Sequence, residues 1–304
     1  MLWYEEFDRA AADYLPDVTV EREEPLAKHC SFRIGGPARR MAFPRSGEQL
    51  VLLESFGRDC GGEPLILGNG TNVLFPDEGL DRLVINTRDM CLLERIGERE
   101  VLAGAGLPLV RLAVFAQQNG LTGLEFAHGI PGSVGGAVCM NAGAYGGEIK
   151  GVLQEALILF PEEGIRRLTA EELDLSYRHS LLTDRPEAVV LQAEFRLTPG
   201  DPAAIRTQME DLMARRKASQ PLEYPSAGST FKRPAGHYAG ALIQEAGLKG
   251  LRAGGAQVSE KHAGFVINTG GATCADVREL ITRVQRAVLE TSGVLLEPEV
   301  RIIQ

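Results

Sequence analysis

Gly129-Ile130-Pro131-Gly132-Ser133-Val134-Gly135-Gly136-Ala137, continued by Asn141-Ala142-Gly143-Ala144-Tyr145-Gly146-Gly147, is the stretch on which the reading of this chain turns. Glycine lets a backbone take positive φ and come close to a ligand with no Cβ between them. A second such segment, Leu67-Gly68-Asn69-Gly70-Thr71-Asn72-Val73, directly follows a strand-like run at 64–67. Successive main-chain N–H groups in turns of this kind form concave anion sites that suit a diphosphate. Thr71, Asn72 and Ser133 add small hydroxyl and amide groups. The two loops are therefore expected to hold a dinucleotide by its pyrophosphate; the competing reading is tight turns with nothing bound. GNGTNV is not G-x-G-x-x-G, and no G-x-x-x-x-G-K-[ST] occurs, so a Rossmann or P-loop architecture has little support.

Around these loops the chain reads as mixed helix and strand. Apolar periodicity predicts helices over 2–15, 46–60, 108–119, 202–217, 238–246 and 273–292, with Ser46 and Thr273 as N-caps. Strands are expected over 82–86, 100–103, 153–160, 165–168 and 188–197, with a closing strand over 294–303. Turn residues crowd Thr198-Pro199-Gly200-Asp201-Pro202, which places a domain boundary near residue 200: one domain over 1–200, built of two α/β subdomains, and a smaller one over 201–304. The 304 residues carry 32 basic and 41 acidic side chains, a net charge of −9 that argues against nucleic-acid binding. No apolar run is long enough to span a membrane, and the acidic amino terminus does not read as a signal peptide. Five widely spaced cysteines fit reduced thiols in a cytoplasmic protein. The five histidines show no H-E-x-x-H and no ligand spacing, so no metal is expected. His128, beside the long glycine segment, reads as a satisfied structural histidine. Ser229 with His237 lacks the G-x-S-x-G elbow of a hydrolase.

Six segments occur in order: Ser31-Phe32-Arg33-Ile34-Gly35-Gly36, the GNGTNV loop, the long glycine segment, Ser176-Tyr177-Arg178-His179-Ser180, 225–234 (PSAGSTFKRP) and Leu296-Glu297-Pro298-Glu299-Val300. Together they resemble the UDP-N-acetylenolpyruvoylglucosamine reductase family, from residue 24 to the end of the chain. The short interval from Tyr177 to Ser229 resembles the family's second class, which lacks an inserted tyrosine-bearing loop. The resemblance implies an α+β fold: an FAD-binding domain of the vanillyl-alcohol-oxidase (PCMH) type plus a smaller α+β domain that binds the sugar nucleotide. It implies non-covalent FAD lined by Arg33, Ile34, Gly35, Gly68, Asn69, Gly70, Thr71, Asn72, Val73, Gly132, Ser133, Gly135, Gly136, Ala137, Asn141 and Gly143. NADPH would be the electron donor and the enolpyruvyl ether of UDP-N-acetylglucosamine the acceptor, with UDP-N-acetylmuramate as product. The protein is expected to be a monomer or a weak oligomer.

The same resemblance assigns Arg178, Ser229 and Glu299 to catalysis, and Tyr145, Tyr177, Lys217 and Arg233 to the substrate. An enol ether is a poor hydride acceptor, so its carboxylate must be polarised; a guanidinium can hold it bidentately. Glu299 acts as a second electrophilic partner only if protonated, which burial favours. Ser229 is the matching proton donor. Read locally, Arg178 ties a loop to a carbonyl, Ser229 is a turn or cap serine and Glu299 a solvated edge residue; only their joint occurrence favours catalysis. Strand alternation puts Glu297 and Glu299 on one side, so periodicity does not choose between them, and the motif match favours Glu299. A related FAD-dependent carbohydrate oxidase and a catalytically silent nucleotide-binding protein are the alternative functions.

Overall fold

Ser46 accepts a hydrogen bond from Gln49 N and opens the helix Gly47–Asp59, as its spacing predicts. Thr273 and Asp276 form a reciprocal capping box on the helix Cys274–Ser292, which ends on Gly293 at φ 71°. The amides of Thr273 and Gly255 hold the Asp276 carboxyl below its usual range. The computed structural model describes residues 2–304.

The chain forms two compact units. The first comprises 1–22, 39–69 and 81–215; the second comprises 23–38, 70–80 and 216–304. This replaces the expected single cut at residue 200. The helix begun by Pro202 runs unbroken to Ser219, and its residues Ile205 and Met209 are buried in the core of the first unit, so the division falls inside that helix. Two early segments, including most of the GNGTNV loop, join the second unit, which no composition change along the sequence marks.

In the first unit an antiparallel sheet runs in the order Gly164–Thr169, Leu153–Phe160, Val189–Arg196, Glu100–Gly104, Leu93–Arg95. In its central strand Val189, Val190, Leu191, Ala193 and Phe195 are buried, while Gln192, Glu194 and Arg196 are not. One core gathers Val101, Ala103, Leu112, Val134, Val138, Ile158 and Phe195. A second core sets Phe7 and Ala11 of the helix Trp3–Tyr14 and Leu50 and Leu53 of Gly47–Asp59 against Leu83 and Ile85. Here Leu65–Leu67 pairs in parallel with Val84–Asn86. The first unit therefore holds two separate hydrophobic cores.

The second unit carries a three-stranded antiparallel sheet, Arg252–Ala253, Ala256–Val258 and Val266–Asn268. Val277, Leu280, Ile281, Val284 and Val288 form the buried stripe of Cys274–Ser292. The expected closing strand over 294–303 is reduced to Arg301–Ile302, paired in parallel with Val73–Leu74. Pro298 has no N–H to give a ladder, so the preceding residues make only an isolated bridge, Phe231 with Pro298.

Candidate active site

The long glycine segment contains a helix the sequence does not announce, Val134–Cys139, capped by Ser133. Gly135 lies against the backbone: a Cβ there would sit 3.1 Å from Ala105 Cβ and 3.2 Å from Ala105 O. The amides of Val134 and Gly135 donate to Leu107 O at 2.9 Å and Ala105 O at 2.8 Å, and Gly136 N donates to Ser133 Oγ at 3.4 Å. The donors at 134–136 are thus engaged by the protein itself, a correction to the expectation that this stretch offers its amides to an anion. What it offers instead is a close joint with the first glycine loop. Asn69 Nδ2 donates to Pro131 O at 3.1 Å, and a Cβ on Gly68 would fall 2.4 Å from Ser133 Oγ. Gly68, Asn69 and Gly132 remain half-exposed, a side-chain-poor surface of the kind a diphosphate needs. At the segment's edge, burial lowers the pKa of His128. Its Nδ1 is buried with no hydrogen-bond partner among the described residues, unlike the satisfied histidine expected.

The Ser-Tyr-Arg-His-Ser motif is fastened to the same segment at three points. Ser176 and His179 exchange two main-chain bonds of 3.1 Å, making a tight turn with Tyr177 and Arg178 at its tip. Ser180 Oγ donates to Cys139 O at 2.6 Å, and Arg178 Nη2 reaches Gly143 O at 3.4 Å. Asn141 is 1% exposed; its Nδ2 donates to Ser176 O at 2.9 Å and Glu148 Oε2 at 3.0 Å, while its Oδ1 accepts from Lys150 N at 2.9 Å. The side chain of Asn141 is therefore spent on holding the Arg178 turn. Asn141→Ala should cost about 2 kcal/mol of stability by leaving buried partners unsatisfied, read by denaturant unfolding. The Arg178 guanidinium lies 5.2 Å from the Tyr177 ring centre; Tyr145 and Tyr177 are exposed. Among the described residues seven non-glycines have positive φ, and four of them, Arg33 (56°), Asn141 (40°), Tyr145 (53°) and Arg178 (55°), are residues the sequence singles out. Strain of this sort concentrates where function fixes the backbone.

In the second unit Ser31 N donates to Gly70 O at 3.0 Å and Ser31 Oγ to Ser226 O at 2.6 Å, joining three of the motifs. Ile34 is buried and Arg33 exposed. Thr71, Asn72 and Val73 are half-buried. Ser229 is exposed beside buried Thr230, whose Oγ1 accepts from Val266 N at 3.0 Å. The segment after it runs along the tail: Glu299 N donates to Thr230 O and Lys232 N to Glu297 O, each at 2.8 Å. Ser229 and Glu299 are thereby brought onto adjoining segments. Glu297 is exposed and paired with Lys232 Nζ at 2.5 Å, whereas Glu299 is half-buried. This contact separates the two glutamates that alternation leaves equivalent. Glu297→Gln should change turnover less than about twofold, since exposed ion pairs contribute little. Lys217 is exposed near the end of Pro202–Ser219, and its carbonyl accepts from Lys261 Nζ at 2.7 Å. The Arg233 guanidinium stacks 4.0 Å over the Tyr238 ring. Ser31, Ser180 and Lys261 were not singled out by sequence, because their partners are distant in the chain.

Comparison with known proteins gives these motifs their context. Residues 38–165 match the family model described as an FAD binding domain, and 220–303 match that of the UDP-N-acetylenolpyruvoylglucosamine reductase C-terminal domain. The UDP-N-acetylenolpyruvoylglucosamine reductase of Levilactobacillus brevis is 50% identical over 96% of this chain and 95% of its own. The chain belongs to the UDP-N-acetylenolpyruvoylglucosamine reductase family. Another member, from Agathobacter rectalis, is 47% identical over 98% of each chain. The crystal structure of the Thermus caldophilus UDP-N-acetylenolpyruvylglucosamine reductase superposes with a TM-score of 0.80 at 35% identity, over 94% of this chain and 99% of that one. The fold is accordingly α+β, with an FAD-binding domain of the vanillyl-alcohol-oxidase type and a reductase-family carboxy-terminal domain. No helix among the described residues is long and apolar enough to cross a membrane.

Proposed function

We propose that this protein is an FAD-containing, NADPH-dependent oxidoreductase that reduces the enolpyruvyl ether of UDP-N-acetylglucosamine to UDP-N-acetylmuramate in peptidoglycan precursor synthesis, and that it acts in the cytoplasm. The observation that carries this reading is the presence in one chain of both family domains, with the Ser229 segment hydrogen-bonded along the Glu299 tail. FAD, when bound, supplies the relay of hydride from NADPH to the methylene carbon of the substrate. Gly68, Asn69, Gly132 and Ser133, together with Arg33, Ile34, Gly35, Gly70, Thr71 and Val73, are the residues that would hold it.

The chain's own groups do the rest. Arg178 presents its guanidinium to the substrate carboxylate, where negative charge accumulates as hydride arrives; fixed donors at such a position are usually the largest catalytic contribution. Glu299, in its protonated form, adds a second donor. Ser229 delivers a proton to the carbon next to the carboxylate, its weak acidity offset by placement. Lys217 and Arg233 meet the diphosphate, and Tyr145 and Tyr177 line the sugar side. The purified protein tests the reading: it should be yellow, be bleached by NADPH under argon, and recover its colour on adding the enolpyruvyl sugar nucleotide faster than on adding oxygen. Faster recovery with oxygen would assign it to the carbohydrate oxidases instead.

A further inference from the structure

Glu299 stands where the tail changes partners. Before it, the tail bonds to the Ser229 segment: Lys232 N to Glu297 O, then Glu299 N to Thr230 O, both 2.8 Å. After it, the tail bonds to the first glycine loop: Arg301 N to Asn72 O and Ile303 N to Leu74 O, both 3.0 Å. The second pairing is only two residues long, Arg301–Ile302 with Val73–Leu74, and Pro298 bars a regular ladder upstream. A backbone changing partners within so short a span has few bonds to set the rotation of the intervening peptide groups. One side chain supplies the missing constraint. Asn72 Nδ2 donates to Glu299 O at 3.1 Å, while the main-chain oxygen of Asn72 takes Arg301 N.

We infer that Asn72 is a positioning residue for Glu299: its side-chain amide, rather than serving a bound dinucleotide, fixes the Glu299–Val300 peptide and with it the aim of the half-buried Glu299 carboxyl. The residue type fits the task. An amide is a neutral donor of the right length, whereas aspartate of the same shape would set a carboxylate oxygen against a carbonyl oxygen. This inference rests on the catalytic assignment of Glu299 made above.

The test uses the holoenzyme carrying Asn72→Ala, Asn72→Asp, Glu299→Gln, and Asn72→Ala with Glu299→Gln together. Flavin content, flavin reduction by NADPH, flavin reoxidation by the enolpyruvyl sugar nucleotide, and amide hydrogen exchange over 297–303 are measured on each. Asn72→Ala is expected to slow reoxidation by about tenfold, the effect of one hydrogen bond, with reduction within about twofold of the parent. Exchange over 299–303 should quicken, and Asn72→Ala should add less than about twofold when Glu299 is already Gln, since coupled residues are not additive. Asn72→Asp should give the same pattern with the size of the side chain kept, which separates lost positioning from a failure to fold. Loss of FAD with equal slowing of both half-reactions would make Asn72 a cofactor ligand and overturn the inference. So would wild-type reoxidation in Asn72→Ala beside slow Glu299→Gln, or fully additive losses. Wild-type reoxidation in Glu299→Gln would overturn the role of Glu299 itself, and this inference with it.

Discussion

Ser229→Ala should leave reduction of the flavin by NADPH within about twofold of the parent while slowing its reoxidation by the enolpyruvyl substrate by about 10³-fold, in the range of a lost general acid. The structure favours a clean experiment. Ser229 is exposed, and its neighbour Thr230 supplies the local fastening through Val266 N and Glu299 N. Removing one exposed hydroxyl therefore disturbs neither the paired segment nor the core. Stopped-flow absorbance of the flavin under argon reads the two half-reactions apart, and solvent deuterium should slow reoxidation less in the variant than in the parent. Equal slowing of both steps would withdraw Ser229 from the mechanism.

Arg178→Lys should slow reoxidation by about 10²-fold, the size of effect seen when one preorganised donor is lost. Lysine keeps the charge but presents a point rather than a planar fork, so a carboxylate is no longer gripped by two parallel bonds. The turn that carries Arg178 is closed by Ser176 and His179 and tied down by Asn141 and Ser180, none of which depends on the guanidinium. Thermal stability should hardly change, and NADPH reduction of the flavin should be preserved. Reoxidation at the parent rate would remove Arg178 from catalysis and leave it a structural residue in contact with Gly143 O.

The reach of the sequence depended on whether a residue's partner lay nearby in the chain. Ser46 and Thr273 are local signals, and each marks the helix start it was read to mark. The strand expected over 188–197 was legible too, from its run of β-branched and apolar residues, and is found at Val189–Arg196. The helix Val134–Cys139 was not, because paired glycines disfavour helix and the reason for Gly135, its approach to Ala105, lies some thirty positions upstream. Asn141 and Asn72 sit within loops that read as ligand cradles, yet their side chains reach Ser176 and Glu299. A motif names the residue types that gather; it does not tell which of them face a ligand and which hold the others in place. The division of the chain inside Pro202–Ser219 escaped for the same reason, since Ile205 and Met209 are claimed by a core assembled from earlier residues.

The left-handed backbone at Arg33, Asn141, Tyr145 and Arg178 bears on how this protein can change under selection. Valine, isoleucine and threonine are the residues least able to adopt that conformation. A compound that bears on Asn141, Tyr145 and Arg178 would meet a target with fewer viable escapes, because β-branched replacements there are ones the main chain itself disfavours.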